Sequence, residues 1–230
     1  MSLHKSSRLI INMRRLATAC MEVHLMRGMS NSYLVSDGTL IDAGVKPETL
    51  AAGTRDLGIE VKMILITHYH LDHVRYLKRI IEMTKAKSVA SVLDAAVISG
   101  REKPRTPPLM PILGLLRAPA VNVDIEVMDG DEVNGYRAIH MPGHTPGSTA
   151  YLLNDLLFSG DAVVSRHGSP APPPRLFSLN PGEASRSILR LRGMRISSVY
   201  PGHGDPFRGE KLEAFIDSLM SRASDSRRSK

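Results

Sequence analysis

Thr67-His68-Tyr69-His70-Leu71-Asp72-His73, directly after the apolar run Val61-Lys62-Met63-Ile64-Leu65-Ile66, is the stretch on which the reading of this 230-residue chain turns. Residues 61–66 read as a buried strand, and residues 71–83 as a helix with Val74, Leu77, Ile80 and Ile81 at i, i+3 and i+4 spacing. The tight loop between them can aim alternate side chains at one place. A lone histidine is usually a core residue. Three histidines and an aspartate on one loop are not explained that way, because neutral imidazoles and a carboxylate together suit zinc, iron or manganese.

The same placement recurs along the chain. A strand over 136–141 runs into Pro142-Gly143-His144-Thr145-Pro146-Gly147, one over 156–159 into Gly160-Asp161, and one over 196–200 into Pro201-Gly202-His203-Gly204. Five histidines and two aspartates thus stand at four strand ends, enough for two adjacent metals if one carboxylate and a water bridge them. Strands and hairpins mix with βα units in both halves of the chain. Asp37-Gly38 and Asn154-Asp155 mark turns, and Pro47 and Gly58 bracket a helix. This pattern points to a sandwich of sheets covered by helices rather than a doubly wound sheet.

With THYHLDH at 67–73, PGHTPGS at 142–148, SGD at 159–161 and YPGHGDP at 200–206, in that order, the sequence resembles the metallo-β-lactamase superfamily. NSYLVSDGTLIDAG at 31–44 is a weaker echo, and the resemblance covers roughly residues 22–220. It implies an α/β (α+β) fold, an αββα sandwich of two mixed sheets flanked by helices. It implies one metal site from His68, His70 and His144 and a second from Asp72, His73 and His203, with Asp161 bridging. Asp42 would then stand behind a ligand histidine and orient it through its other ring nitrogen, or else be a plain turn residue. The implied cofactors are two divalent ions, zinc first, with iron or manganese as alternatives. The implied reaction is hydrolysis by a metal-bridging hydroxide, with Asp72 also guiding a proton to the leaving group.

Within the superfamily the chain resembles the glyoxalase II-like general hydrolases more than true β-lactamases, which carry Cys or Ser where Asp161 stands. No counterpart of the added C-terminal helical domain of glyoxalase II is expected. The expected activity is cleavage of a small ester-like substrate, a thioester, lactone or related compound. A phosphodiesterase or nuclease of the same fold is the alternative, and a non-catalytic metal-binding protein comes third. One departure concerns Val74-Arg75-Tyr76, which follows the Asp-His pair where the family usually has small residues. Arg75 either points to solvent or anchors an anionic substrate beside the metals. His167, in the loop after Asp161, is a further candidate for lining the pocket, and His140 is expected to pack against the site from its strand.

Charge argues against nucleic acid as a partner, although 30 Lys+Arg against 23 Asp+Glu give a net +7. Residues 1–21 carry +4 and residues 222–230 carry +3, which leaves 22–221 neutral. The domain reading is a single unit over 22–221. Before it lies a basic end, residues 1–21, which is a first strand, a ragged start or a weak targeting segment. After it, residues 222–230 are expected to form a disordered basic tail. Two Pro-rich loops, 103–119 and 169–175, are expected to form the substrate rim, with Leu109, Met110, Ile112 and Leu113 as an apolar lip. One cysteine, Cys20, and the lack of a long apolar run point to a cytoplasmic protein without a membrane partner. The sequence carries no signal for oligomeric state.

Overall fold

In a computed structural model of the chain, which describes residues 21–107 and 117–228, two six-stranded sheets face each other with helices on their outer sides. The first sheet takes its strands in chain order: β1 (Val23–Arg27), β2 (Asn31–Val35), β3 (Thr39–Ile41), β4 (Met63–Leu65), β5 (Lys87–Ser91) and β6 (Ile125–Val127). The first three are antiparallel and the rest continue parallel from β3. Parallel pairing needs crossovers, supplied by α1 (Pro47–Leu57), by the pair α2 (Leu71–Val74) and α3 (Leu77–Thr84), and by α4 (Val92–Ile98).

The second sheet contains β7 (Glu132–Val133), β8 (Tyr136–His140), β9 (Thr149–Leu153), β10 (Leu156–Gly160), β13 (Ser198–Pro201) and β14 (Phe207–Arg208), in the spatial order β14-β13-β10-β9-β8-β7. It is antiparallel except where β10 lies parallel to β13. A separate hairpin, β11 (Val164–Arg166) and β12 (Ser169–Ala171), stands apart from both sheets, and the short helical turn Ile188–Leu191, which follows α5 (Pro181–Ser187), covers the second sheet's outer face together with α6 (Gly209–Arg228).

Side-chain alternation builds the layers. Leu34, Leu40 and Ile64 pack with Leu50, Leu77 and Ile80 of the helices, whereas Tyr33, Ile41 and Leu65 point the other way and meet Tyr151 and Phe158 of the second sheet. Leu157 and Val199 in turn face Ile188, Leu212 and Ile216. Both faces of both sheets are therefore buried, which explains why residues 63–65 read as an unbroken apolar run. Each fully buried side chain of this kind contributes roughly 1.5–3 kcal/mol.

Several expectations need correction. The helix expected over 71–83 is two helices, because Tyr76 N–H donates to the Ala43 carbonyl (3.1 Å) and Ala43 N–H to the His73 carbonyl (2.7 Å). These bonds take the backbone away from the i→i+4 ladder at Arg75 and Tyr76. The loop expected over 169–175 is partly a strand: β12 pairs with β11 through a turn at His167 and Gly168, both with positive φ, at 53° and 73°. The tail expected from 222 is helical as far as Arg228, since no Gly or Pro after Gly209 stops α6. The expected N-terminal element, Cys20 and the lip at Leu109, Met110, Ile112 and Leu113 lie outside the described residues. Among the described residues no helix is long and apolar enough to cross a membrane.

Candidate metal centre

Each candidate ligand follows the carboxyl end of a strand, where open α/β sheets present their loops to a ligand. β4 leads into His68, His70, Asp72 and His73, β8 into His144, β10 into Asp161, and β13 into His203. The facing sheets bring these ends together. His68, His70 and His144 offer ring nitrogens within 4.8 Å of one another, as do the ligand atoms of Asp72, His73 and His203 and those of His68, His73 and Asp161.

Asp161 stands between the groups. Its Oδ1 is 3.5 Å from His73 Nε2, while Oδ2 is 3.6 Å from His144 Nε2 and 3.5 Å from His203 Nε2. Gly202 makes this approach possible, because a Cβ there would collide with Asp161 Oδ1 and the His73 ring.

Behind the cluster, hydrogen bonds fix how the rings present themselves. Asp42, at φ 58° where Asp is tolerated, accepts His73 Nδ1–H at 2.7 Å and the Thr67 N–H and hydroxyl, each at 2.8 Å. Since the Thr67 hydroxyl is spent on Asp42, its oxygen accepts from His68 Nδ1–H (3.1 Å). Ser178 repeats the device: its hydroxyl donates to the Pro174 carbonyl (2.9 Å) and accepts from His144 Nδ1–H (3.1 Å). Three rings are thus held with Nδ1 protonated and Nε2 turned inward. His68 Nε2, His73 Nε2, His144 Nε2 and Asp161 Oδ1 are buried without a hydrogen-bond partner. Converging orphaned lone pairs of this kind are costly unless a cation takes them, so these residues fit divalent metals.

Electrostatics agree with that fit. Burial pushes His70 down to about 3 and His144 to about 4, and takes His68 well below the usual range, so all three rings are neutral donors at pH 7. Burial would raise Asp161, but His73, His144 and His203 hold it well below the usual carboxylate range. Burial opposes a charge on His73 as well, yet Asp42, Asp161 and Asp72 raise it. The hydrogen bond to Asp72 raises His203. Both upward shifts come from carboxylates crowded around these rings, the negative charge that a bound cation would offset.

A cavity of about 540 Å³ opens on this cluster. His70, Asp72, His144, Asp161 and His203 line it, and His68 and His73 are sealed behind them. Of the two carboxylates, Asp72 is the accessible one, its side chain 31% exposed against 7% for Asp161, and its Oδ2 lies 3.0 Å from His203 Nε2. Pro104 and Pro107 of the first Pro-rich stretch and Pro174 of the second line the cavity.

Two expected residues fall elsewhere. Arg75 is exposed over the Tyr76 ring, in a separate groove with Lys78, Arg79 and Arg117, because the break after α2 turns it outward. His167 sits exposed in the β11–β12 turn, away from the cavity. His140 Nε2–H donates to the Pro146 carbonyl (2.7 Å), supporting the loop that carries His144.

Sequence reading missed Asp94 and Asn31. Buried in the first turn of α4, Asp94 accepts Tyr69 N–H (2.9 Å), the Thr145 hydroxyl (2.8 Å) and Gly147 N–H (2.7 Å), and so ties the two histidine loops together. Burial pushes its carboxyl up to about 7 against those donors. Asn31 donates to the Pro201 (3.0 Å) and Gly204 (2.7 Å) carbonyls, and Tyr33 to Pro201 (2.7 Å), fastening the loop around His203. The echo at 31–44 had pointed to this segment without giving the reason.

Known proteins resemble this chain in sequence and fold. The family model described as metallo-beta-lactamase superfamily matches residues 25–203. The chain is 26% identical over 223 residues to "Probable metallo-hydrolase YflN" of Bacillus subtilis, with 80% of this chain and 82% of that protein covered. It is 28% identical over 172 residues to hydroxyacylglutathione hydrolase of Methylobacillus flagellatus, covering 72% of this chain and 59% of that enzyme. The crystal structure of TTHA1623 in a di-iron-bound form superposes with a TM-score of 0.64 at 30% identity, over 80% of this chain and 92% of that one. The motifs, the two facing sheets and the family match coincide, and the chain belongs to the metallo-beta-lactamase superfamily of metal-dependent hydrolases.

Proposed function

We propose that the protein is a binuclear metallohydrolase of a small ester-like substrate, a thioester, lactone or related compound. The observation that carries the reading is the placement of Asp161, with one oxygen toward His73 and the other toward His144 and His203. On this reading His68, His70 and His144 hold one ion, Asp72, His73 and His203 hold the other, and Asp161 reaches both. Bound ions of this kind supply Lewis acidity and lower the pKa of coordinated water toward neutrality.

The chain's own residues do the rest. Asp42, Thr67 and Ser178 lock the ring tautomers so that no reorganisation is needed when a ligand site fills. Asp72 is the carboxylate that substrate can reach, and it is placed to carry a proton to the departing group. Arg75 and His167 take no part. Support for an ester-like substrate comes from the hydroxyacylglutathione hydrolase likeness, and support for iron beside zinc from the di-iron neighbour.

Metal analysis of the purified protein, followed by assays on thioester, lactone and phosphodiester panels, tests the reading. Two divalent ions per chain and turnover of an ester-like compound are expected. A single ion at saturation, or hydrolysis of phosphodiesters alone, would overturn it.

A further inference from the structure

The cavity at the metal centre has two kinds of wall. Beside His70, Asp72 and His203 it is polar. Elsewhere its described walls include Leu71, Val74 and Leu77 from α2 and α3, Val97 and Ile98 from α4, and Ala118 from the segment returning to β6. Its charged neighbours outside the metal cluster, Glu102, Arg105 and Arg117, are exposed residues at the rim. A volume of about 540 Å³ lies well within the range of small-molecule sites, roughly 300–1,000 Å³, and leaves room for far more than a two- or three-carbon acyl group. A hydroxyl or amide placed against Leu77 and Ile98 would find no partner there, and burying one unpaired is unfavourable.

We propose that the substrate carries an unbranched aliphatic acyl chain that lies along this apolar wall, with its carbonyl carbon at the His/Asp cluster. The inference rests on the hydrolase reading above and adds the acyl half of the substrate to it. The cavity selects through its volume and apolar lining, and the exposed rim leaves the leaving group in contact with solvent. The scissile bond joins the acyl carbon to the oxygen or sulfur of the leaving group. Water supplies the oxygen of the carboxylate product and the proton of the alcohol or thiol, which departs from an ester or thioester and stays attached to the acyl product of a lactone. Ester, thioester and lactone sources share this acyl chemistry, and three substrate series distinguish them.

The experiment has two arms. In the first, metal-loaded protein is assayed on p-nitrophenyl esters and N-acetylcysteamine thioesters of linear acids from short to long, and on γ-lactones alkylated with such chains at the carbon beside the carbonyl. The expected result is that kcat/KM in at least one series rises about fourfold per methylene until the cavity is full, the equivalent of ~0.8 kcal/mol each. Val97→Trp and Ala118→Phe, each checked by thermal melting, move the optimum to shorter chains. A flat or falling dependence, or an optimum that neither folded variant moves, overturns the acyl proposal and leaves the hydrolase reading standing. In the second arm, linear carboxylates from acetate to decanoate are titrated calorimetrically into metal-free protein. Tighter binding with each methylene supports the proposal independently of turnover. Absence of that trend overturns it. Turnover of no series, with chain-length-dependent carboxylate binding intact, overturns the hydrolase reading instead.

Discussion

The first sheet delivers His68, His70, Asp72 and His73 on a single loop after β4, whereas the second sheet delivers His144, Asp161 and His203 from three different strand ends. In the first half, spacing along one loop sets the geometry, and Asp42 at the next strand end braces it from behind. In the second half, geometry depends on register. β10 lies parallel to β13 with Phe158 beside Tyr200 and Gly160 beside Pro201, and a shift between these pairs sets Asp161 next to the loop of His203. A slip of one residue would turn every side chain of β10 to the other face. The lesson is that a dense local motif and a dispersed one can share a centre only if something spans them, and Asp161 and Asp94 are the spanning groups.

Removing the group that reaches both halves should have the largest effect. Asp161→Ala is expected to lower turnover by more than about 100-fold, the upper end for losing a partner that merely supports a ligand, and to reduce metal content. Two tightly held ions and near-normal kcat in that variant would mean that the halves do not share a carboxylate.

Next in size is the contrast between supports. Asp42→Asn replaces an acceptor that serves His73 and Thr67 at once, and metal affinity should fall near the top of the about 10–100-fold range for such partners. Ser178→Ala, which removes one acceptor from His144, should fall near the bottom of that range. Titration with a chromophoric chelator measures both. Equal losses would erase the difference drawn between a braced loop and a dispersed set.

Smaller again on activity, but visible in stability, is Asp94→Ala. It strands the Tyr69 and Gly147 N–H groups and leaves the Thr145 hydroxyl with Ser148 alone, so a loss of about 1–3 kcal/mol is expected in denaturant unfolding. Gly147 packs directly against Asp94 and Ser91, with no room for a Cβ, which shows how closely this clamp is fitted. An unchanged unfolding midpoint would remove Asp94 as a link between the two halves.

This contrast also explains what could be read in the sequence. Ligands are read easily because few residue types hold metals and because they cluster after apolar strands. Asp42 was legible as a site residue through the segment around it, yet its partner His73 was not, since nothing in the spacing says which ring it faces. Asp94 and Asn31 were invisible for a different reason. Each bonds backbone groups more than 20 positions away, and an Asp or Asn in a first helical turn or at a strand start looks the same whether or not it does so. The break at Arg75 and Tyr76 escaped because the apolar periodicity runs straight through it, and only the tertiary bonds to Ala43 interrupt the helix.

The smallest effect belongs to the residue that chain position alone had recommended. His167 follows Asp161 closely in sequence, but β11 and β12 turn the chain back so that His167 and Gly168 form the two central positions of a hairpin with φ of 53° and 73°. Both angles are those of a type I′ turn, for which Asn-Gly is the favoured pair. A histidine there bears steric strain that asparagine relieves by bonding locally to the backbone. His167→Asn should therefore raise stability by a few tenths of a kcal/mol, at most about 1, and should leave kcat/KM within about twofold, as for other exposed positions. A larger loss of activity would bring the hairpin to the substrate, and the second half of the site would then extend beyond its three strand ends.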